Sequence, residues 1–297
     1  MIDFKINTVS LGDEAYPLLL RETKGAPIKM FYRGILPSAK EPTIAIVGTR
    51  KATEEGKIVA SKISEELSRE GFTVISGLAM GIDSAAHLGA LKTKGKTIAV
   101  LANGLKSVYP ALNERLASDI LENGGSLISE YQPEEPPYQS RFLERNRIIA
   151  GLSVATVVIE APIKSGALTT ARFAAEEGRD VFVVPGRVRD KNYEGSHLLI
   201  RNGARLVSGS KDILDDIFQT IQDLGMKLGS STERAGSLDD SETLLLLSLE
   251  KSGIPLTIDN LAEITHLEIH IINKKLTFLL LYGLIEEKAG KFGIKKK

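Results

Sequence analysis

The chain has 297 residues and carries 38 basic and 38 acidic side chains, so its formal net charge is zero. A protein that coats duplex nucleic acid without regard to sequence is usually more basic, so any nucleic-acid site here must be local. Cysteine is absent, which excludes disulfides, thiolate nucleophiles and zinc fingers and suits a reducing cytoplasm.

Residues 1–42 are predicted to form a short N-terminal extension that contains the segment YPLLL. They show no basic region followed by an apolar one, which is the pattern of a signal peptide. No apolar run in the sequence approaches the ~20 residues that a membrane span needs. We therefore expect a cytoplasmic protein that does not use a membrane.

Residues 43–224 alternate between short apolar strands and helices. The predicted strands are Thr43–Val47, Phe72–Ile75, Thr97–Leu101, Ser126–Ser129, Ala155–Ile159, Asp180–Val184 and Arg205–Val207. The predicted helices are Thr53–Glu70, Asp83–Lys92, Asn113–Glu122, Glu144–Gly151, Leu168–Glu177 and Asp212–Leu224. Most strands are apolar throughout, as expected when both faces of a parallel sheet are covered. The pattern predicts an α/β fold with a doubly wound, mostly parallel sheet.

Residues 225–241, GMKLGSSTERAGSLDDS, have the composition of a flexible linker. After them, residues 242–297 predict three helices and a hairpin with Ala-Gly at its tip, the order of a winged helix-turn-helix domain. Duplex readers usually carry arginine on the recognition helix, but residues 238–297 hold 8 Lys, 9 Asp/Glu and no Arg. A protein-interaction or regulatory role is therefore as open as duplex binding. The predicted recognition helix offers Glu268, His270, Asn273, Lys274 and Lys275.

Three glycine-containing loops follow predicted strands: VGTRKAT, SGLAMGIDSAAH and APIKSGALTTA. The carboxyl ends of parallel strands form the ligand edge of such a sheet, and backbone N–H groups at helix starts there receive phosphate. Arg50, Lys51 and Lys164 add cations to two of these loops. Neither G-x-G-x-x-G nor G-x-x-x-x-G-K-[ST] is present, so no dinucleotide or nucleotide cofactor is expected. The alternative is that these glycines only make tight turns.

Candidate catalytic groups are few. The acids considered are Asp83, Glu130 and Glu160, and His87 lies on a predicted helix. Asp83 is placed to cap the helix that follows it, and a lone histidine among Ala and Leu residues is more often packed than catalytic. No Ser/His/Asp grouping or G-x-S-x-G elbow is present. We therefore predict no catalytic residue and no metal site.

The segment SRFLERNR, residues 140–147, combines guanidinium groups with an aromatic ring. A site for single-stranded nucleic acid needs cations along the backbone and an aromatic face on which a base stacks. Arg141 and Arg145 are four residues apart and would project from one side of a helix, and Arg147 adds further donors. The alternative is structural: an arginine pairs with the neighbouring glutamate, and Phe142 packs on the core.

These segments resemble the DNA-processing protein A family, DprA, also called Smf. The resemblance is carried by IAIVGTR (44–50), SGLAMGIDSAAH (76–87), NGLKSVYPALN (103–113), FLERNRIIAGLS (142–153), SGALTTARFAAEEGRDVFVVPG (165–186) and GSHLLIRNGA (195–204). Residues 242–297 resemble the small winged-helix domain that many members append. Two departures are that Ala167 stands where a serine is usual, and that Leu143 follows Phe142 where a proline is common.

The resemblance implies an extended Rossmann-like core that binds single-stranded DNA without hydrolysing it and without a cofactor. It also implies a homodimer that protects incoming strands and loads RecA recombinase onto them during natural transformation. By motif match, Arg50 contacts a phosphate, Phe142 stacks near a base, and Lys164 stands at a helix-start anion site. The DNA-binding residues predicted in this way are Gly48, Thr49, Arg50, Lys51, Gly77, Leu78, Arg141, Phe142, Arg145, Asn146, Arg147, Lys164, Ser165 and Gly166.

Two other functions are alternatives. Nucleotide phosphoribohydrolases, the lysine-decarboxylase-like LOG proteins, have a related Rossmann-like architecture and carry P-G-G-x-G-T-x-x-E, whose glutamate takes part in catalysis. The comparable loop here is APIKSGALTTA, without the double glycine and without a glutamate at that spacing, which disfavours an enzyme that hydrolyses nucleotides. A winged-helix transcription factor that senses a nucleotide is the least favoured, because the recognition helix lacks arginine.

Overall fold

The computed structural model describes residues 5–226, 240–281 and 283–295. The chain divides after Met226 into two units, residues 1–226 and 227–297, and each has a hydrophobic core of its own. Residues 227–239, which make up most of the predicted linker, lie outside the described residues. No helix in the described ranges is long and apolar enough to cross a membrane.

A nine-stranded sheet, counted over residues 5–226, forms the centre of the first unit. Its strands are β1 (Asn7–Ser10), β2 (Lys29–Gly34), β3 (Thr43–Val47), β4 (Thr73–Ser76), β5 (Thr97–Val100), β6 (Ser126–Ser129), β7 (Ala155–Val158), β8 (Asp180–Val183) and β9 (Arg205–Leu206). Their order is β1-β2-β6-β5-β4-β3-β7-β8-β9, and all neighbours from β6 to β9 are parallel. Every predicted strand is present, so the doubly wound, mostly parallel sheet is confirmed.

Helices connect these strands, and most of their bounds lie within two residues of the prediction. They are α1 (Leu18–Arg21), α2 (Glu54–Arg69), α3 (Ile82–Lys92), α4 (Glu114–Glu122), α5 (Gln139–Gly151), α6 (Gly166–Glu176), α7 (Glu194–Arg201) and α8 (Ser210–Asp223). α5 begins five residues earlier than predicted, which places Arg141 and Phe142 in its first turn. α7 was not predicted. A Cβ at Gly195 would lie 2.7 Å from the Ala161 carbonyl oxygen, so close packing rather than helix propensity selects glycine there.

Two strands of the sheet, β1 and β2, lie within the predicted N-terminal extension. β1 pairs with β2, and β2 pairs antiparallel with β6, with Phe31 opposite Ser129. Tyr16 and Leu20 belong to the same core cluster as Ile148 of α5. β1 and β2 are only partly buried, so they lack the continuous apolar run by which most of the parallel strands were recognised, and pattern alone did not reveal this edge of the sheet.

β3 lies next to the central strand β4 and at the topological switch point of the sheet. The chain continues from β3 through α2 to β4 on one side, whereas β7 pairs with the other side of β3 and leads through α6 to β8. All five residues of β3 are buried. The loops after β3 and β7 therefore diverge from neighbouring strand ends and open a crevice, which is where ligands bind in sheets of this class.

The second unit consists of three helices followed by an antiparallel hairpin. Its elements are α9 (Asp240–Ser252), α10 (Ile258–Thr265), α11 (Ile269–Leu281), β10 (Ile285–Lys288) and β11 (Lys291–Ile294). Thr257 and Asn260 form a capping box at the start of α10. Ala289 and Gly290 have positive φ angles of 52° and 73°, as a two-residue hairpin turn requires. This order of helices and hairpin is the one expected of a winged helix-turn-helix.

Candidate functional site

A cavity of about 400 Å³ opens at the carboxyl ends of β3 and β7, and we call it the switch-point cavity. Its walls are the loop after β3, the first turns of α5 and α6, and the start of α3. The sequence predicted that these loops would meet the segment 140–147 at one edge of the sheet, and they do. The side chains that line the cavity include Arg50, Asp83, Phe142, Arg145, Asn146 and Lys164.

Gly48 and Thr49 form the frame of the loop after β3. The Thr49 N–H donates to the Glu160 carbonyl oxygen (2.7 Å), and the Thr49 carbonyl accepts from the Ile82 N–H (3.2 Å). A Cβ at position 48 would lie 2.5 Å from Cγ1 of Ile82, so only glycine lets this loop approach α3 so closely. These contacts hold the loop in place, and Arg50, the next residue, is exposed and lines the cavity.

Arg50 and Lys164 are exposed cations at the mouth of the cavity. The Cζ atom of Arg50 lies 4.6 Å from the centroid of the Phe142 ring, which is a cation–π distance. Within the described part of the chain, neither Arg50 nor Lys164 forms an ion pair with a carboxylate. Lys51 is exposed as well, but it does not line the cavity. Positive charge is therefore available at two points beside one aromatic ring.

Arg145 is buried, with 4% of its surface exposed. Its guanidinium donates to the carbonyl oxygens of Gly77 (2.9 Å) and Val100, and its Nε donates to Oδ1 of Asn146 (3.2 Å). Burial lowers the pKa of Arg145 to about 10, and the negative charge of Asp83 opposes this shift. Arg145 therefore connects α5 to the ends of β4 and β5, and its Nε and one of its terminal nitrogens donate within the protein.

Arg141 and Arg147 are each paired with an acidic residue. Arg141 pairs with Glu135, and Arg147 pairs with Glu130. Neither partner is the adjacent Glu144, which the structural alternative had suggested. Arg147 does not line the cavity. Each of the three arginines of the segment is therefore held by other groups of the protein, and for Arg145 and Arg147 some of these groups lie far away in the sequence.

α6 begins at a capped turn that packs against α5. The Ser165 hydroxyl oxygen accepts from the Ala167 N–H (3.2 Å), so this serine is the N-cap. The Asn146 side-chain amide donates to the Gly166 carbonyl oxygen (3.1 Å). Gly166 itself is exposed, and the nearest atom to a Cβ built there is Nδ2 of Asn146, at 3.8 Å. The first turn of α6 is therefore open to an anion, which its N–H groups and dipole favour.

Gly77 and Leu78 lie behind the cavity. Leu78 is completely buried, and its carbonyl oxygen accepts from the Asn113 side chain (2.7 Å). A Cβ at position 77 would lie 2.5 Å from Nη2 of Arg145. Contrary to the expectation for this loop, Leu78 presents no surface to a ligand, and Gly77 instead makes room for the buried guanidinium.

Glu160 supports the framework of the site. It is completely buried at the end of β7. Its carboxylate accepts from the Thr53 N–H (3.0 Å), from the Tyr193 hydroxyl (3.3 Å) and from the Asn192 side chain (3.4 Å). These bonds join the start of α2 to the segment before α7. Glu130, the second candidate acid, is the partner of Arg147, and burial raises its pKa.

Asp83 and His87 are buried on α3. Burial raises the pKa of Asp83, and the charge of Arg145 opposes that shift. Asp83 accepts from the Gly77 N–H (3.1 Å) and so holds the loop before the helix, whereas the N-cap position is Gly81. His87 is packed, as predicted, with Nδ1 2.7 Å from Oγ1 of Thr97. Among the described residues, no three His, Asp or Glu side chains lie close enough to hold a metal ion.

The buried imidazole of His87 makes stability depend on pH. Burial lowers its pKa to about 3, whereas in the unfolded chain it titrates near 6.5. The unfolded state therefore binds the proton first, and this contribution to stability is lost as the pH falls from about 6.5 towards 3, by about 1.4 kcal/mol per pH unit. We expect urea unfolding at pH 7, 6 and 5 to show a steeper loss for the wild type than for His87→Gln. Equal slopes for the two proteins would contradict this account.

One aromatic residue near the site was not anticipated from the sequence. The Tyr109 ring centroid lies 5.5 Å from that of Phe142, and the two planes are tilted by 54°. Tyr109 lies in the loop after β5, 33 positions before Phe142 in the sequence. The family-like segment NGLKSVYPALN contains it, but only the fold brings the two rings together.

Comparisons with known proteins agree with this arrangement. The family model of DNA recombination-mediator protein A matches residues 7–218. DNA processing protein DprA of Streptococcus pneumoniae is 44% identical over 210 residues, which cover 71% of this chain and 74% of that protein. Protein Smf of Escherichia coli is 43% identical over 209 residues, which cover 70% of this chain and 56% of that protein.

Solved structures show the same likeness. The crystal structure of DprA from S. pneumoniae superposes with a TM-score of 0.67 and 43% identity, covering 71% of this chain and 74% of that one. DprA from Helicobacter pylori, whose single-stranded DNA binding mode has been described structurally, superposes with a TM-score of 0.65 and 28% identity, covering 73% and 97%. Both matches support the extended Rossmann-like core of the first unit.

Proposed function

The chain belongs to the DNA recombination-mediator protein A family, and we propose that its first unit binds single-stranded DNA at the switch-point cavity. The observation that carries this proposal is the placement of Arg50 over the Phe142 ring beside the exposed Lys164. Sites for single strands combine cations that follow the backbone with an aromatic face on which a base stacks. Both features occur here at the ligand edge of a parallel sheet.

In this proposal the contact set is smaller than the set predicted from the sequence. Arg50 and Lys164 neutralise phosphates, and Phe142 stacks on a base. The exposed first turn of α6 receives a further phosphate at the backbone N–H of Gly166, and Asn146 holds that turn in position. The remaining predicted residues act indirectly: Gly48, Thr49, Gly77, Leu78, Arg141, Arg145, Arg147 and Ser165 support the walls, and Lys51 lies outside the cavity.

We further propose that the protein does not hydrolyse its ligand. Among the cavity-lining residues in the described part of the chain, Asp83 is the sole carboxylic acid. It is buried against Arg145 and holds the Gly77 N–H. A general acid or base must reach the proton that it transfers, and Asp83 is committed to the framework. This supports a binding role over the phosphoribohydrolase alternative.

Family membership also supports a role after binding. We propose that the protein acts in the cytoplasm as a homodimer, protects incoming single strands, and loads RecA recombinase onto them during natural transformation. A surface that could form the dimer lies at the β9 edge of the sheet. β9 is an edge strand whose two residues are exposed, and Leu198 of the preceding helix α7 is exposed as well. Exposed edges flanked by apolar side chains favour pairing with another chain, so this edge is the dimer surface that we propose.

The second unit is proposed to contact protein rather than duplex DNA. On α11, Lys275 is half-buried in an ion pair with Glu242 (3.1 Å) and lies over the Phe278 ring. The exposed surface of this helix and its start includes Ile269, Glu268 and Lys274. A duplex reader presents several basic groups to phosphates, and a single exposed lysine in the described part of this helix offers little for that contact.

The proposed function is tested by fluorescence anisotropy with labelled oligo-dT and with a duplex of equal length, at two salt concentrations. We expect the full chain to prefer the single strand, and residues 1–226 alone to retain most of this affinity, because the site lies wholly in the first unit. Equal affinity for the duplex, or no binding at all, would refute the proposal. Release of a base from a nucleoside monophosphate would instead support the hydrolase alternative.

A further inference from the structure

Exposed aromatic rings continue along the ligand edge beyond the switch-point cavity. Tyr109, in the loop after β5, has 44% of its surface exposed, and Tyr138, directly before α5, has 55%. Neither residue lines the cavity. Single exposed tyrosines are ordinary on a protein surface, but these two lie in loops that follow neighbouring strands of the sheet, β5 and β6.

Tyr109 extends the stack that begins at Arg50. The Arg50 guanidinium lies 4.6 Å from the Phe142 ring, and the Tyr109 ring lies 5.5 Å from Phe142 in a tilted arrangement. The three side chains therefore form one continuous group, with Tyr109 on the outside. Because the Tyr109 ring is still nearly half exposed, it retains surface on which another flat group can stack.

Tyr138 belongs to a second stack around Arg141. The Arg141 guanidinium lies 4.1 Å from the Tyr131 ring centroid and 4.7 Å from that of Tyr138, and it is paired with Glu135. Its charge is thus largely neutralised by a partner within the protein. What this stack offers to a ligand is an aromatic face, not a free cation.

We propose that Tyr109 and Tyr138 form an outer base-stacking subsite, over which a bound single strand leaves the switch-point cavity. The inference rests on the proposed function. β7, β3, β4, β5 and β6 are consecutive neighbours in the sheet, so the edge from the Lys164 loop to the loop after β6 spans about 19 Å at ~4.8 Å per strand. Phosphates are held at the cavity end by Arg50 and Lys164, and bases stack at the outer end.

Phosphate contacts and base stacking differ in how they change the salt dependence of the affinity. Loss of a phosphate contact lowers the slope of log K against log salt by about 0.7 per contact for a single strand. Loss of a stacking platform lowers affinity without changing that slope. The same platform tolerates any base, because every base has a π-face, so the outer subsite confers length dependence rather than sequence preference.

The test uses the full chain and labelled oligo-dT of increasing length. Tyr109→Ala is expected to bind long oligonucleotides about tenfold more weakly than the wild type, since one stacked base contributes ~1–3 kcal/mol, and to show an unchanged salt slope. Tyr138→Ala is expected to do the same, and the shortest oligonucleotides should not distinguish either variant from the wild type. Leu112→Ala is the matched control, because this residue of the same loop is 82% exposed and apolar but has no aromatic face.

Two further variants separate stacking from support of Phe142. Tyr109→Phe keeps the ring and should bind like the wild type, whereas Tyr109→Leu keeps much of the packing volume and should bind like Tyr109→Ala. If Tyr109→Leu and Tyr138→Ala both bind every oligonucleotide like the wild type while Arg50→Ala is impaired, the outer subsite is wrong and the proposed function stands. If Arg50→Ala also binds normally, the proposed function itself fails.

Discussion

Arg145→Ala is expected to lower the free energy of unfolding by about 3–5 kcal/mol, the usual cost of leaving a buried charge without its compensating charge. The substitution leaves the buried Asp83 without its counter-charge and deprives the carbonyl oxygens of Gly77 and Val100 of a donor. Each buried acceptor without a partner adds to the cost. Urea unfolding followed by circular dichroism at pH 8 measures the loss.

The stability loss caused by Arg145→Ala should increase with pH. In the folded protein, burial raises the pKa of Asp83 and Arg145 opposes that rise, so the pKa rises further once the arginine is removed. A carboxyl whose folded pKa is raised binds its proton more tightly in the folded state, so stability is lost as the pH rises from the unfolded value near 4 towards the folded pKa. The deficit of Arg145→Ala should therefore be larger at pH 8 than at pH 4.5.

Arg147→Ala is the matched control for this experiment. Its guanidinium pairs with Glu130 but is more exposed than that of Arg145, so we expect a smaller loss of stability. Equal losses for the two variants, or a deficit of Arg145→Ala that does not change between pH 4.5 and pH 8, would show that the charge of Arg145 does not compensate that of Asp83.

Arg50→Ala is expected to weaken binding of single-stranded DNA at least tenfold at moderate salt, because one side chain supplies both a phosphate contact and the guanidinium stacked on Phe142. Stability should not change, since Arg50 is exposed and is not among the described ion pairs. Anisotropy titration with oligo-dT at several salt concentrations measures both affinity and slope. The slope should fall by about 0.7, the value for one phosphate contact on a single strand.

Lys51→Ala is the control for charge. It removes the neighbouring cation and changes the net charge by the same amount, but Lys51 does not line the cavity. We expect it to reduce affinity only slightly, through the general field of the surface. Arg50→Lys is expected to keep the salt slope but to lose part of the affinity, because an ammonium lacks the planar face that stacks on the ring. If Lys51→Ala weakens DNA binding as much as Arg50→Ala does, Arg50 contributes through the general positive charge of the surface and not through a specific contact at the cavity.

The strands and loops that form the site could be predicted from the sequence better than the side chains that remain available to a ligand. Short apolar strands and glycine-containing loops have local signals, and the rule that ligands bind at carboxyl strand ends brought Arg50, Phe142 and Lys164 to one edge. Whether a guanidinium remains available to a ligand depends on partners that are distant in sequence. Arg147 donates to the carbonyl of Gly25, and Arg145 reaches that of Gly77. Neither contact can be predicted from the residues next to the arginine in the sequence.

The same limit explains the missed tyrosine and the missed strands. Tyr109 was part of a recognised motif, but its contact with Phe142 spans two loops that only the sheet order places side by side. β1 and β2 pair antiparallel at the edge of a parallel sheet and are only partly buried, so they carry no continuous apolar run that distinguishes them from loop.

The fit between Gly77 and Arg145 makes the effects of substitutions at the two positions interdependent. A Cβ at position 77 would lie 2.5 Å from Nη2 of Arg145, whereas a shorter residue at position 145 would leave that space open. A substitution at position 77 is therefore expected to cost more stability in the presence of Arg145 than beside a shorter residue, which is epistasis between the two positions. The order of changes that starts at position 145 passes through an intermediate in which the buried Asp83 lacks its compensating charge.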